Sequence, residues 1–463
     1  YEGAWSEDGK GLSTWDAFTH SPGGVEDGSN GDIADDQYHK YPEDIELMAS
    51  LGLDMYRFSI SWSRILPNGV GDINSAGIDY YNNIINGLLR YGIRPFVTLY
   101  HFDLPKALED SYGGWLNPHI IMDFEAYAEI CFKAFGDRVK YWATVNEPNL
   151  FVPLGYTIGQ YPPARCSLPY GKCVSGNSLS EPYVAGHHVL LAHVATVETY
   201  RNKYQKHQGG SIGFVISAPW YEPLEDTSHD HEAVARILTF NIRWFLDPIV
   251  LGNYPSEMRE RLGSRLPLIN SEMERKIAGS FDFIGINHYT TIYASSTPTP
   301  SPDFTTDFYP DSMVYLTGER HGIPIGDPTG MKGLYVVPRG IQNIVEYVTQ
   351  IYNKPPMIIT ENGYAGSKDS SATLQEALED VRRINFHRDY LNYLAKAIKN
   401  GSDVRGYLIW SLLDNFEWGL GYTVRFGLFH VDSLYQNRYP KLSARWLTQF
   451  LRQDQTVMIS AAI

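Results

Sequence analysis

Two short segments place a glutamate at the end of an apolar run: TVNEP at 144–148 and ITENG at 359–363. In each the glutamate stands beside an asparagine and the run stops at proline or glycine, so Glu147 and Glu361 are expected at strand ends. Carboxylates placed there, beneath loops rich in Trp and Tyr, would be partly desolvated. Desolvation raises a carboxyl pKa, as a general acid requires, whereas a carboxylate nucleophile must be kept ionised by a cation and hydrogen bonds. Arg57, in another apolar run, is the candidate cation. If the two strands face each other across a barrel, the pair can straddle a glycosidic bond. A separation of about 5 Å means retention through a covalent intermediate, and a wider gap means inversion. Sequence does not give that distance, and two ordinary hydrogen-bonded barrel glutamates are the competing reading of either motif alone.

A third cluster, WSLLDNFEW at 410–418 followed by GYTVRFGL at 421–428, interleaves Asp414, Asn415 and Glu417 with Trp410, Phe416 and Trp418. Carboxylates bind hydroxyls bidentately and indole faces cover the apolar face of a ring, a combination suited to a sugar. The same residues could equally form an aromatic loop capping a barrel core.

The elements that must position these groups recur along the chain. Runs of strand composition lie at 53–62, 93–103, 139–147, 211–217, 281–289, 357–364 and 404–416. Segments such as 41–52, 77–92 and 117–136 repeat apolar residues at three and four, the helical period. Nearly all-apolar strands separated by helices imply a parallel sheet covered on its outer face. Seven strand–helix units are one short of an eight-stranded (β/α)8 TIM barrel, and an open doubly wound sheet is the competitor. The barrel is favoured because no glycine-rich phosphate turn follows an early strand. Arg57, His101, Asn146, Glu147, Asn287, Glu361 and Trp410 also crowd strand ends that only a barrel brings to one mouth. No linker divides the chain, so residues 1–463 are read as one α/β domain, with SSTPTPSPDF at 295–304 as a loop over the mouth.

The totals narrow the partners. Lys and Arg number 38 against 53 Asp and Glu, a net charge of −15, which argues against nucleic acid and anionic membrane surfaces and leaves neutral small molecules. No apolar run reaches the roughly 18 to 20 residues of a membrane span. The sequence opens at Tyr1 with neither Met nor an apolar leader, so it reads as a processed or truncated form. Cys166 and Cys173 lie in the Pro- and Gly-containing loop CSLPYGKC. No His or second Cys pair is near enough to complete a zinc site, so a disulfide is preferred over free thiols. With the sequon at Asn400, it points to an oxidising compartment.

These motifs together resemble glycoside hydrolase family 1, particularly its plant β-glucosidases. The likeness runs from YEGAW at 1–5 through YRFSISWSRILPNG, HFDLP, TVNEPN, CSLPYGKC, GINHYT and ITENGY to WSLLDNFEWGLGYTVRFGL at 410–428. It implies a retaining enzyme on a (β/α)8 barrel, with Glu147 as acid/base and Glu361 as nucleophile. It also implies sugar-binding roles for His101, Asn146, Glu417 and Trp418, a platform at Trp410, and support of the nucleophile by Tyr289 and Arg57. Asn287 and Phe426 match lining positions. No cofactor or metal is implied. The expected activity is hydrolysis of β-O-glucosides in the secretory pathway, at the cell wall, outside the cell or in the vacuole. A transglucosidase is the alternative, and a sugar-binding relative without activity would require loss of a glutamate that is present here. Glu417 speaks against phosphorylated sugars, and Glu147, where thioglucoside-cleaving relatives carry Gln, speaks for an oxygen glycoside.

Three departures from the family pattern stand out. Its first strand and a sugar-binding Gln precede the motif that opens at Tyr1, so both are expected to be missing from the chain as given. Phe102 replaces the usual Trp. Gly333, in MKGLYVVP, stands where many plant relatives carry a Trp that walls the aglycone site, so a bulkier aglycone is expected, with Leu154 and Tyr161 lining the same site.

Overall fold

The computed structural model describes residues 1–298, 308–369 and 371–460. Its centre is a parallel sheet of seven strands, hydrogen-bonded in chain order: β1 (Met55–Ser59), β2 (Arg94–Tyr100), β3 (Tyr141–Asn146), β4 (Ser211–Ser217), β5 (Phe283–Asn287), β6 (Met357–Asn362) and β7 (Val404–Ile409). Each falls inside one of the seven runs expected from sequence. The expected helices form as well, at Gln37–Leu51, Ser75–Arg90 and His119–Phe135.

The strands are apolar on both faces because both are covered. Phe96, Ala143, Val215, Phe283 and Ile358 pack with Met55, Tyr141 and Leu408 inside the curl of the sheet. Their alternating neighbours, among them Val97, Trp142, Phe214, Ile284 and Ile359, join the larger core between sheet and helices. Each helix presents one stripe to that core: Tyr80, Tyr81, Ile84, Ile85 and Leu88 from Ser75–Arg90, and Ile341, Ile344, Val345 and Val348 from Arg339–Ile351. Burying one such side chain is worth about 1.5–3 kcal/mol, so the stripes decide where the helices dock.

The sheet curls into a nearly closed barrel of the (β/α)8 type. β1 and β7 approach each other without pairing, and a groove of about 590 Å3 lined by Met55, Arg57, Phe58, Tyr407 and Ile409 runs between them. A second sheet, Trp220–Pro223, Thr291–Ser296 and Val314–Thr317, was not expected from sequence. Ser295 and Ser296, read as the start of a loop from their Ser and Pro surroundings, instead end one of its strands, paired with Tyr315 and Val314. Residues 299–304 of that expected loop lie outside the described residues.

Candidate active site

The C-terminal ends of the barrel strands open onto a cavity of about 1100 Å3. Glu147, Glu361, His101, Asn287, Tyr289, Trp410, Glu417, Trp418 and Phe426 all line it, as do Leu154, Tyr161 and Gly333. Arg57 and Asn146 sit behind this surface and act on it through hydrogen bonds.

Both glutamates leave strands whose register slips just before them. β3 shifts against β4 between Ala143 and Asn146, which leaves Val145 in the outer core and turns Asn146 toward the barrel interior. Glu147 then caps the helix Pro148–Tyr156 with φ 43° and ψ 55°. A non-glycine residue in the left-handed region costs about 1–2 kcal/mol and persists only where the surroundings enforce it. Here the Glu147 N–H donates to the Val215 carbonyl at 2.9 Å, and its own carbonyl accepts from Leu150 and Phe151. β6 slips against β5 between Ile359 and Glu361. Gly363 follows because the Trp410 carbonyl oxygen lies 1.9 Å from where a Cβ would stand.

The two carboxyls live in different electrostatic surroundings. Arg57 Nη1 donates to Glu361 Oε1 at 2.6 Å and the Tyr289 hydroxyl donates to Oε2 at 2.8 Å. Glu147 Oε1 accepts from a neutral amide, Asn287 Nδ2, at 2.9 Å. Burial, and next the charge of Glu361, push the Glu147 carboxyl up to about 8, against the weaker pull of Asn287 and Arg57. One carboxyl is therefore held as an acid while the other faces a cation and a hydroxyl donor.

Asn146 ties the site together. Its Oδ1 accepts from Arg57 Nη2 at 2.6 Å and from Asn287 Nδ2 at 3.2 Å, so its Nδ2 is the donor to His101 Nε2 at 3.0 Å. That fixes the proton of a neutral His101 on Nδ1, free to donate to a ligand. Burial, then the charge of Arg57, hold the imidazole well below its usual range. Thr360 fixes Asn287 in turn, its hydroxyl donating to Oδ1 at 2.6 Å. Burial raises Glu417 to about 8 although Trp410 Nε1 donates to it at 3.3 Å.

Of the two readings of the 410–418 cluster, Asp414 and Asn415 follow the second, the loop that caps the core. Asp414 is buried against Lys441, with Nζ at 2.6 Å, and accepts the Gly427 N–H. Asn415 donates to Ser411 and to the Leu413 carbonyl. Both brace the loop, and only Glu417 of the three lines the cavity.

The outer cavity contains residues that the motifs did not flag: Phe18, Ile292, Phe308, Leu316 and Met331 form apolar walls. One wall is a closed polar network. Asn149 Nδ2 donates to Asn241 Oδ1 at 2.6 Å, Tyr309 donates to the same oxygen at 2.8 Å, and Asn241 Nδ2 donates to Tyr221 at 2.7 Å. Asn241 stands on the π-helical turn Thr239–Arg243, which no sequence signal marked. Gly333 has φ 85° in a turn closed by Leu334 N–H to the Met331 carbonyl at 3.1 Å, with nothing within 4 Å of a would-be Cβ. The position is open, and the turn itself calls for glycine.

Cys166 and Cys173 form a disulfide, and Cys131 is buried and free. Asn400 is exposed at the end of the helix Val381–Lys399 and donates to Glu346 at 2.8 Å. Among the described residues no group of three or more His, Cys, Asp or Glu could hold a metal ion, and no helix is long and apolar enough to cross a membrane.

Comparison with known proteins places this geometry. The sequence model of Glycosyl hydrolase family 1 matches residues 1–456. The coniferin beta-glucosidase of Pinus contorta is 71% identical over 458 residues, covering 98% of this chain and 89% of the relative. A rice protein described as probable inactive beta-glucosidase 14 is 52% identical, covering 97% and 87%. The crystal structure of the rice beta-glucosidase Os3BGlu6 superposes with a TM-score of 0.94 at 49% identity, covering 97% of this chain and 95% of that one. A mutant of that rice enzyme, solved in a covalent complex with Glc from GA4GE, matches equally well at 0.94.

Proposed function

The chain belongs to glycosyl hydrolase family 1, and on that premise we propose that Glu147 and Glu361 divide the work of a retaining β-glucosidase. The chain is a glycosidase acting on β-glucosides by way of a covalent glucosyl-enzyme. In the proposed mechanism Glu361 attacks the anomeric carbon while Glu147 gives its proton to the departing glycosidic oxygen. Glu147, now a carboxylate, then takes a proton from water as the hydroxyl oxygen displaces Glu361 and β-glucose leaves.

The observation that carries this assignment is the asymmetry of the pair. Glu361 lies between Arg57 and Tyr289, while burial and its neighbour's charge hold a proton on Glu147. His101, Glu417 and Trp418 supply donors, acceptors and a ring face for the sugar, with Asn146 holding His101 from behind, Trp410 beneath the ring and Asn287 and Phe426 beside it. A 2-deoxy-2-fluoro-glucoside should trap the intermediate, and peptide mapping should find it on Glu361. Label on any other residue overturns the assignment. Free glucose against acceptor glucoside in the products separates hydrolysis from transfer.

The leaving group is proposed to be bulky and apolar, and coniferin, for which the pine relative is named, is the glucoside to test first. The apolar outer walls and the open position at Gly333 support this. Gly333→Trp should lower kcat/KM on bulky aryl glucosides relative to methyl glucoside. Gly333→Ala carries the same backbone strain without the indole and should not, so equal effects of the two would refute the steric account. Residues 1–463 are proposed to act as one catalytic domain in the secretory pathway, a placement that the disulfide and the exposed sequon at Asn400 support.

A further inference from the structure

Beneath Glu361 runs a hydrogen-bonded chain that touches no part of the cavity, buried at Asn362 and His387 and reaching the groove between β1 and β7 at Tyr407. Asn362, fully buried, donates from Nδ2 to the His288 carbonyl at 2.5 Å, and its Oδ1 accepts from the Tyr407 hydroxyl at 2.6 Å. Because that proton is committed to Asn362, His387 Nδ1, 2.9 Å from the Tyr407 oxygen, must be the donor. His387 lies on the helix Val381–Lys399 and is neutral, its pKa lowered to about 3 by burial. Its Nε2 has no partner, as fits an unprotonated nitrogen.

Asn362 also stands where three strand ends meet. The His288 N–H donates to the Glu361 carbonyl at 3.0 Å, and the Trp410 N–H donates to the Asn362 carbonyl at 2.9 Å. The residue after His288 is Tyr289, which holds Glu361 Oε2. One amide group thus sets the spacing of Glu361, of the tyrosine that orients it and of the Trp410 platform. We propose that Tyr407 and His387 are positioning residues for the nucleophile, locking the Asn362 amide so that Glu361 meets the anomeric carbon in attack geometry.

The inference rests on the reading of Glu361 as nucleophile, and labelling by a 2-deoxy-2-fluoro-glucoside tests both. Tyr407→Phe should slow the saturating labelling rate about tenfold, since misplacement by a fraction of an ångström is enough, while the inhibition constant of glucose stays within twofold. His387→Leu should slow labelling to a lesser degree and His387→Gln, which keeps a donor, should restore it. Tyr352→Phe removes a buried hydroxyl bonded to Asp247 away from the site and should label at the wild-type rate even if its Tm falls. Wild-type labelling rates in folded Tyr407→Phe and His387→Leu overturn the inference and leave Glu361 as nucleophile. Label mapped elsewhere in the wild type overturns the reading beneath it. Should Tyr407→Phe fail to fold, the His387 pair decides.

Discussion

Glu147 and Glu361 are the same residue type, and only their neighbours separate an acid from a nucleophile. Glu147 must be protonated to act on a poor leaving group, so that activity should fall as pH rises through about 8. Glu147→Gln, assayed with a dinitrophenyl glucoside that needs no acid, should lose this alkaline limb. A limb that persists unchanged belongs instead to Glu417, whose carboxyl is raised to the same value. The pair could be found in the sequence because each glutamate ends an apolar run beside an asparagine. Thr360, Asn149 and Asn241 could not, because their importance comes from packing: Asn241 meets Asn149 across 92 residues of chain. Asp414 stayed open between ligand and brace for the complementary reason. A carboxylate among tryptophans looks like a sugar ligand until Lys441, distant in sequence, arrives beside it.

The barrel strands were legible as elements because both faces are buried, and apolar runs broken by amphipathic helices leave few arrangements. The short strands at Thr291–Ser296 and Val314–Thr317 were not, because Ser, Thr and Pro read as loop wherever tertiary pairing decides otherwise. The slips in β3 and β6 were equally invisible, since a one-residue change of facing leaves no compositional mark. The disulfide loop carries a functional consequence. Gly159, Gln160 and Tyr161 line the cavity, and the Cys173 sulfur lies 2.1 Å from where a Cβ on Gly159 would stand. Closing so short a loop is worth about 2–3 kcal/mol by chain entropy. Cys173→Ser should therefore raise hydrogen exchange locally over 159–178 and raise KM for bulky aglycones. Methyl glucoside kinetics should hold; a change there would mean that the loop supports the sugar site too.

At the scale of the whole molecule, the net charge of −15 surrounds a cavity whose lining is mostly apolar. A glucoside with a carboxylate on its aglycone should bind weakly at low ionic strength and gain kcat/KM as salt screens the repulsion, whereas a neutral glucoside should be indifferent. Equal salt dependence for the two would remove the long-range field from the account. The buried carboxyls of Glu147 and Glu417 bear on stability itself. Each is raised from 4.5 to about 8 by folding, so between those values the native chain holds protons that an unfolded chain gives up. The stabilisation from this uptake is complete below pH 4.5 and is lost as pH rises through about 8. Unfolding near neutrality should consequently acidify its medium. In a calorimeter the apparent unfolding enthalpy should then differ between phosphate and Tris, whose heats of protonation differ, and Glu147→Gln should shrink that difference.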